Sequence, residues 1–274
     1  MRNGLRRLIG KSAALAHWRR SIELQRLLRR RRFLPTTTRL LGPRLDVPDG
    51  PSFVSMYRSI FLKQTYRFTG DGDPFIIDGG ANIGLSVIYF RRLFPGARIV
   101  AFEADPHIFA VLTRNLAAAG IEGVDLRHQA LADRDGTLDF QCQGADGGRV
   151  LDPGAAPAAR PALRVPAVRL SPLLDRDVDL LKLDIEGSET AVLRECSPHL
   201  GRVRRCFVEY HSFAGREQTL DEVLSILRRA GLRVHVQVEN GSPQPFCARR
   251  VSENMDLQLN IFAFRPGAGS ERPA

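Results

Sequence analysis

Phe75-Ile76-Ile77-Asp78-Gly79-Gly80-Ala81-Asn82-Ile83-Gly84 is an apolar run that ends in an acid and a glycine turn, and Leu85 to Phe94 continue it at helical spacing. Phe75 to Ile77 fit a strand of a parallel sheet covered on both faces. Gly79 and Gly80 let backbone come close to a ligand, and the turn from strand to helix is where doubly wound sheets bind ligands. The run carries a nucleotide-cofactor signature.

A second short apolar strand, Ala97-Arg98-Ile99-Val100-Ala101-Phe102-Glu103, also ends in a carboxylate, and Glu103 lies 25 residues after Asp78. An acid at the tip of the second strand accepts hydrogen bonds from both ribose hydroxyls, which suits adenosine cofactors lacking a 2'-phosphate. The dinucleotide fingerprint requires glycine at relative positions one, three and six, and counting from Gly79 the third position is Ala81. That template fails.

The run reads instead as Asp78-x-Gly80-x-Asn82-x-Gly84 and resembles the first motif of class I S-adenosylmethionine-dependent methyltransferases, with Asn82 where a middle glycine is usual. Three further blocks follow in order: Phe102-Glu103-Ala104-Asp105-Pro106, Asp179-Leu180-Leu181-Lys182-Leu183-Asp184-Ile185-Glu186-Gly187-Ser188-Glu189, and Phe207-Val208-Glu209-Tyr210-His211. Together they resemble the FkbM methyltransferase family over roughly residues 57 to 264. The resemblance implies methyl transfer from S-adenosylmethionine, typically to an oxygen acceptor. It also implies the donor site: Asp78, Gly79, Gly80, Ala81, Asn82, Gly84, Glu103 and Ala104, with Gln129 and Ala130 at the end of the third strand near the adenine. The methionine ammonium would lie near the carboxyl end of the first strand, and its carboxylate near the backbone N–H groups that open the helix.

Methyl transfer demands alignment and exclusion of water, and an alcohol acceptor also needs a base. Asp184 and Glu186 at the end of the fourth strand, and Glu209 and His211 at the end of the fifth, converge on one rim of such a sheet. His211 is favoured as the base because an imidazole titrates near working pH, with Glu209 orienting it or the acceptor. Asp184, Glu186 and Glu209 form an all-oxygen cluster that suits Mg²⁺, a hard ion. No dedicated spacing enforces a metal, so the metal-free reading is preferred and no metal ligand is assigned.

Alternation of strands near 75–78, 98–103, 124–129, 179–184, 204–210, 232–239 and 256–264 with helices near 84–94, 106–119, 187–197 and 217–230 predicts an α/β fold. The expectation is a doubly wound, Rossmann-like, seven-stranded, mostly parallel sheet with helices on both faces. By family resemblance the last strand inserts antiparallel beside the fifth. Residues 144 to 163, rich in Gly, Pro and Ala, are expected to form no regular element, either a lid over the site or a disordered excursion. The chain divides into a basic helical leader with linker at 1–50, a methyltransferase domain at 51–265 and a disordered tail at 266–274. His128 is expected to be structural, Trp18 a helix anchor and Asn115 a surface residue.

The charge is uneven. Residues 1 to 50 hold 13 Lys and Arg against Glu23, Asp46 and Asp49, leaving 27 bases and 27 acids in the remainder. The leader includes Arg29-Arg30-Arg31-Arg32 and reads as helix from about Leu5 to Leu28. It suits either packing or contact of residues 1–34 with an anionic membrane surface. A nucleic-acid methyltransferase is disfavoured: the catalytic part is formally neutral, and neither an Asn-Pro-Pro-Tyr motif nor a Pro-Cys nucleophile motif occurs. A non-catalytic binding protein would have no need of the acids at 78, 103, 184 and 186. No uncharged apolar run of about 18 residues appears, and the four scattered cysteines suggest no zinc or redox motif. The expected location is cytoplasmic, peripheral to a membrane if the leader touches one. The expected acceptor is a small molecule or glycan, such as a sugar, glycolipid or secondary metabolite, and oligomeric state is left open.

Overall fold

The computed structural model describes residues 17–70, 72–142, 148–150 and 162–267. Its centre is a sheet built from β3 (Phe75–Gly79), β4 (Arg98–Phe102), β5 (Val124–Arg127), β10 (Leu180–Leu183), β11 (Arg205–Phe213), β12 (Arg233–Asn240) and β13 (Met255–Phe264). Their spatial order is β12-β13-β11-β10-β3-β4-β5, and every pair is parallel except those made by β13, which runs antiparallel to both β11 and β12. The seven strands and the antiparallel insertion read from the sequence are present. So are the helices α3 (Leu85–Leu93), α4 (Pro106–Ala118), α5 (Glu189–Cys196) and α6 (Leu220–Arg229).

Successive residues of the central strands feed two different cores, because side chains alternate across a pleated sheet. Ile76, Ile99, Ala101, Leu180 and Phe207 pack on one face with Val87, Phe90 and Leu112. Ile77, Val100, Phe102, Leu181 and Val208 pack on the other with Val192, Leu193, Val223 and Leu227. A sheet covered on both faces explains why β3 is apolar without alternation. Strand order reverses between β3 and β10, so their carboxyl ends open the crevice where such folds bind ligands.

Three features lie outside what the sequence announced. A smaller sheet of order β6-β9-β7-β8 is formed by Ala130–Ala132, Leu163–Arg169, Gly136–Gln141 and Arg149–Val150. Of the expected irregular stretch 144–163, most residues lie outside those described; Arg149–Val150 and Leu163 are strand. The segment before the first sheet strand is also built into the protein. Residues 17–28 form helix α1, while residues 5–16 of the expected leader helix lie outside the described chain. β1 (Thr36–Thr38) and β2 (Leu45–Val47) form an antiparallel ribbon, and α2 (Gly50–Tyr57) continues into a π-helical turn at Arg58–Leu62. Leu27, Leu45, Val47 and Phe53 are buried in the same core as Ile76 and Phe90.

Asn115 is a correction. It is 1% exposed, and its amide accepts from Asp46 N at 2.7 Å and donates to Asp46 O and Ile83 O at 3.1 and 3.0 Å. It ties β2 to the glycine turn through three hydrogen bonds that a surface residue of α4 would not make. Trp18 is 60% exposed on α1. The tail at 266–274 lies outside the described residues from 268 onward.

Candidate active site

The turn after β3 takes its shape from close backbone approach. Gly80 has φ +80°, and a Cβ there would sit 1.8 Å from the carbonyl oxygen of Asp184. Only glycine fits both demands. Gly80 and Ala81 donate to Phe102 O at 3.0 and 2.8 Å, which lashes the turn to the second strand. Asn82, with φ +49°, occupies the left-handed region in which asparagine is the commonest residue after glycine. This accounts for its standing where a middle glycine is usual.

Glu103 follows β4 and reaches back to this turn. Its Oε2 accepts from Asn82 N at 2.9 Å and its Oε1 from Asp105 N at 2.8 Å. Burial raises its pKa to about 7; the nearby Asp105 charge adds to that rise and the two backbone N–H groups oppose it. Asp105 caps α4 by accepting from His107 N and Ile108 N. His128 Nε2 donates to Ala104 O at 3.1 Å, and its ring stacks on Phe109.

Asp78 is fully buried and lies beneath the turn. Ser86 Oγ donates to its Oδ2 at 2.5 Å, and Lys182 Nζ stands 3.1 Å from its Oδ1. That ammonium also donates to Gly79 O and Gly80 O at 3.1 and 2.9 Å and lies 3.4 Å from Asp184 Oδ2. Burial alone would push the Lys182 pKa down, but Asp78 and Asp184 reverse the sign and hold it above the ordinary value. Lys182 thus joins the ends of β3 and β10. A lone lysine inside Leu180-Leu181-Lys182-Leu183 was the sequence signal for it: a charge within a strand covered on both faces must be paired.

At the ends of β10 and β11 the four expected rim residues meet. His211 Nε2 lies 3.7 Å from Glu186 Oε2 and 3.9 Å from Glu209 Oε1, and Asp184 belongs to the same cluster. The His211 side chain is 1% exposed. Its Nδ1 is 2.9 Å from Glu189 Oε1, so Glu189, rather than Glu209, fixes the ring. Glu189 is itself held by Ile185 N and Gly187 N, each at 3.1 Å from the same oxygen. Burial opposes a charge on His211, yet Glu186 and Glu189 outweigh it and raise its pKa well above the ordinary value. Glu209 is raised to about 8 by burial and by the charge of Asp184. The amide of Gln258, on β13, donates to Glu209.

One cavity of about 290 Å³ joins these parts. Gly80, Ala81, Asn82, Glu103, Ala104, Gln129 and Ala130 line one portion, and Asp184, Glu186 and Glu209 line another. Asp78, Gly79, Gly84 and His211 stand behind the wall. The sequence left out the contributions of Ser55, Phe140 and the β12–β13 hairpin (Glu239, Asn240, Ser252, Met255, Gln258), which complete the lining. They come from segments distant in the chain, with no motif to mark them.

The fold and this cavity define a nucleotide-cofactor-binding α/β enzyme with an acidic second compartment. A family model described as the methyltransferase FkbM domain matches residues 78–234. The chain belongs to the FkbM methyltransferase family and is an S-adenosylmethionine-dependent methyltransferase. It is similar to the methyltransferase sdnD of Sordaria araneosa, 29% identical over 206 residues that span 62% of this chain and 79% of the relative. It is also similar to the 31-O-demethyl-FK506 methyltransferase FkbM of Streptomyces tacrolimicus, 27% identical, with 65% of this chain and 81% of the relative aligned. The 2-O-methyltransferase NoeI of Sinorhizobium fredii is 27% identical over 50% of this chain and 63% of its own length. Among solved structures, the methyltransferase FkbM of Methylobacillus flagellatus superposes with a TM-score of 0.46 at 14% identity, covering 89% of this chain and 59% of that one.

Proposed function

We propose that the protein methylates a hydroxyl oxygen of a small molecule, most suitably a sugar, glycolipid or secondary metabolite. The observation that carries this reading is the single cavity in which a donor-type wall around Glu103 and an acidic wall of Asp184, Glu186 and Glu209 face the same space. S-adenosylmethionine, when bound, supplies an electrophilic methyl group. The residues present suit it: Glu103 offers carboxylate oxygens to ribose hydroxyls, the Gly80–Asn82 turn lines the same space, and Ala130, Leu131 and Phe140 offer an apolar seat for a ring. Asp78 acts from behind, holding Lys182 and the turn in place.

The acidic wall has the chemistry an alcohol acceptor needs. Carboxylates accept hydrogen bonds from hydroxyls, fix the attacking oxygen and receive its proton as the new bond to carbon forms. His211 stands behind that wall, 3.7 Å from Glu186 and 3.9 Å from Glu209. Names of two relatives specify O-methylation of their own substrates, which supports an oxygen acceptor here. We assign the reaction to residues 51–265.

Residues 1–34 are proposed to touch an anionic membrane surface that presents the acceptor. The support is the arginine run together with exposed Trp18, Ile22 and Leu28 on α1. Among the described residues no helix is long and apolar enough to cross a membrane.

Titration calorimetry with S-adenosylmethionine tests the donor site, and release of S-adenosylhomocysteine with a panel of sugars and hydroxylated metabolites tests the acceptor class. Donor binding that is abolished by Glu103→Ala, together with turnover lost in Glu209→Gln, is the expected result. Wild-type protein that binds no donor, or a Glu103→Ala variant that binds it unchanged, removes the reading.

A further inference from the structure

Asp184 and Glu186 follow β10, His211 lies on β11, and one ligand-type atom from each lies within 4.8 Å of the others. An ion with bonds of about 2.1 Å holds neighbouring ligands about 3 Å apart and opposite ligands about 4.2 Å apart. Small side-chain rotations therefore bring these three atoms onto one ion.

The imidazole is held as a metal ligand is held. Its Nδ1 is 2.9 Å from Glu189 Oε1, and Glu189 is 1% exposed and locked by two backbone N–H groups. A carboxylate behind a histidine fixes its tautomer and aims the other nitrogen at a metal. That other nitrogen, Nε2, is sealed from solvent and faces Glu186 Oε2 at 3.7 Å, Glu209 Oε1 at 3.9 Å and the Gln258 amide nitrogen at 3.4 Å. An N–H···O hydrogen bond needs about 2.7–3.2 Å, so neither carboxylate stands close enough to share a proton with Nε2. Both separations fall between the distances of about 3 and 4.2 Å that neighbouring and opposite ligands of one ion keep. The metal-free preference drawn from the sequence counted only oxygen ligands; the fold adds a nitrogen to them.

We propose that Asp184, Glu186 and His211 bind a divalent first-row metal ion, Mn²⁺ in preference to Mg²⁺, in the acidic wall of the cavity. Imidazole selects against Mg²⁺, while two carboxylates favour Mn²⁺ over softer ions that prefer thiolate. Glu189 is the positioning residue. Binding of the ion stands on this geometry alone; its use, to hold an acceptor hydroxyl beside the donor wall, rests on the methyl-transfer reading.

Mn²⁺ alone is titrated into the full-length protein and followed by electron paramagnetic resonance, with S-adenosylmethionine binding measured calorimetrically on the same preparation. One ion per chain is expected, with spin-echo modulation from an imidazole nitrogen, at least tenfold weaker binding in Asp184→Asn and in Glu186→Gln, and weaker binding in Glu189→Gln. Thermal melts establish that each variant is folded. Donor binding without any Mn²⁺ binding overturns the metal site and leaves methyl transfer standing. Mn²⁺ binding that lacks the nitrogen signal, or that folded Glu186→Gln retains in full, also overturns it. Mn²⁺ binding without donor binding sustains the site and removes the function assigned above.

Discussion

At the scale of single residues, Glu103 and Lys182 show how burial turns a charge into a functional constraint. The pKa of Glu103 rises to about 7 because its carboxylate is buried. Ribose hydroxyls donate to the ionised form, so donor affinity is full above that pH and falls as pH drops through it, by about tenfold per unit at most. Folding stability without ligand moves the opposite way: it declines as pH climbs from the ordinary carboxylate range to about 7, then levels. Calorimetry between pH 5.5 and 8.5 checks the first trend, and Glu103→Gln should flatten it. Lys182 is a different case. Its ammonium pairs with Asp78, both side chains being almost wholly buried, so Lys182→Met leaves a buried carboxylate uncompensated and should cost about 3–5 kcal/mol in denaturant unfolding. Adding Asp78→Asn to that variant should recover a large part of the loss; a double variant no better than the single one would refute the pairing argument.

At the scale of elements, the site consists of strand ends and the turns that leave them. The turn at 79–84 is anchored to β4 through Phe102 O and pressed against the end of β10 through Asp184 O. Gly80→Ala places a methyl group 1.8 Å from that carbonyl and forces φ +80° on a residue with a Cβ. The backbone must then open between β3 and β10, and donor binding should be lost while far-UV circular dichroism stays close to wild type. An alanine variant that binds the donor as well as wild type would show that this close contact is not needed. The turn at 184–188 makes a parallel case: Glu186 with φ +55° swings its side chain back into the cavity, while Glu189 starts α5 and holds both the turn and His211. The glycines, the two strand-end acids and the helices were legible in the sequence because turn geometry and hydrophobic period are local. The role of Glu189 was not, since it depends on β11 lying beside β10.

At the scale of the molecule, the segment preceding the sheet is part of the same core. Leu27 is wholly buried, and Arg26 of α1 donates to Thr37 O at 2.7 Å. Leu27→Ala should therefore destabilise the whole protein by about 2–5 kcal/mol, read as a lower denaturant midpoint with unchanged slope. An unaffected midpoint would mean that α1 is detachable from the catalytic unit. The small sheet β6-β9-β7-β8 contributes Phe140 and Val150 to the cavity, and the β12–β13 hairpin contributes Glu239, Asn240 and Gln258. The small sheet was not read from the sequence; the two hairpin strands were, but that they wall the cavity follows only from the packing.

The sequence by itself determined the order of strands and helices, the glycine turn, the acid at the second strand tip and the acidic rim at the fourth and fifth. Each of these follows from local chain geometry or hydrophobic period, which neighbouring residues specify. The tertiary structure alone decided that Asp78 serves Lys182 from beneath the turn, and that His211 stands behind the wall with its ring fixed by Glu189. Those outcomes depend on which buried charges end up within about 4 Å of each other, where Coulomb attraction and desolvation are both large. Such distances are set by the packing of the sheet, and no spacing along the chain encodes them.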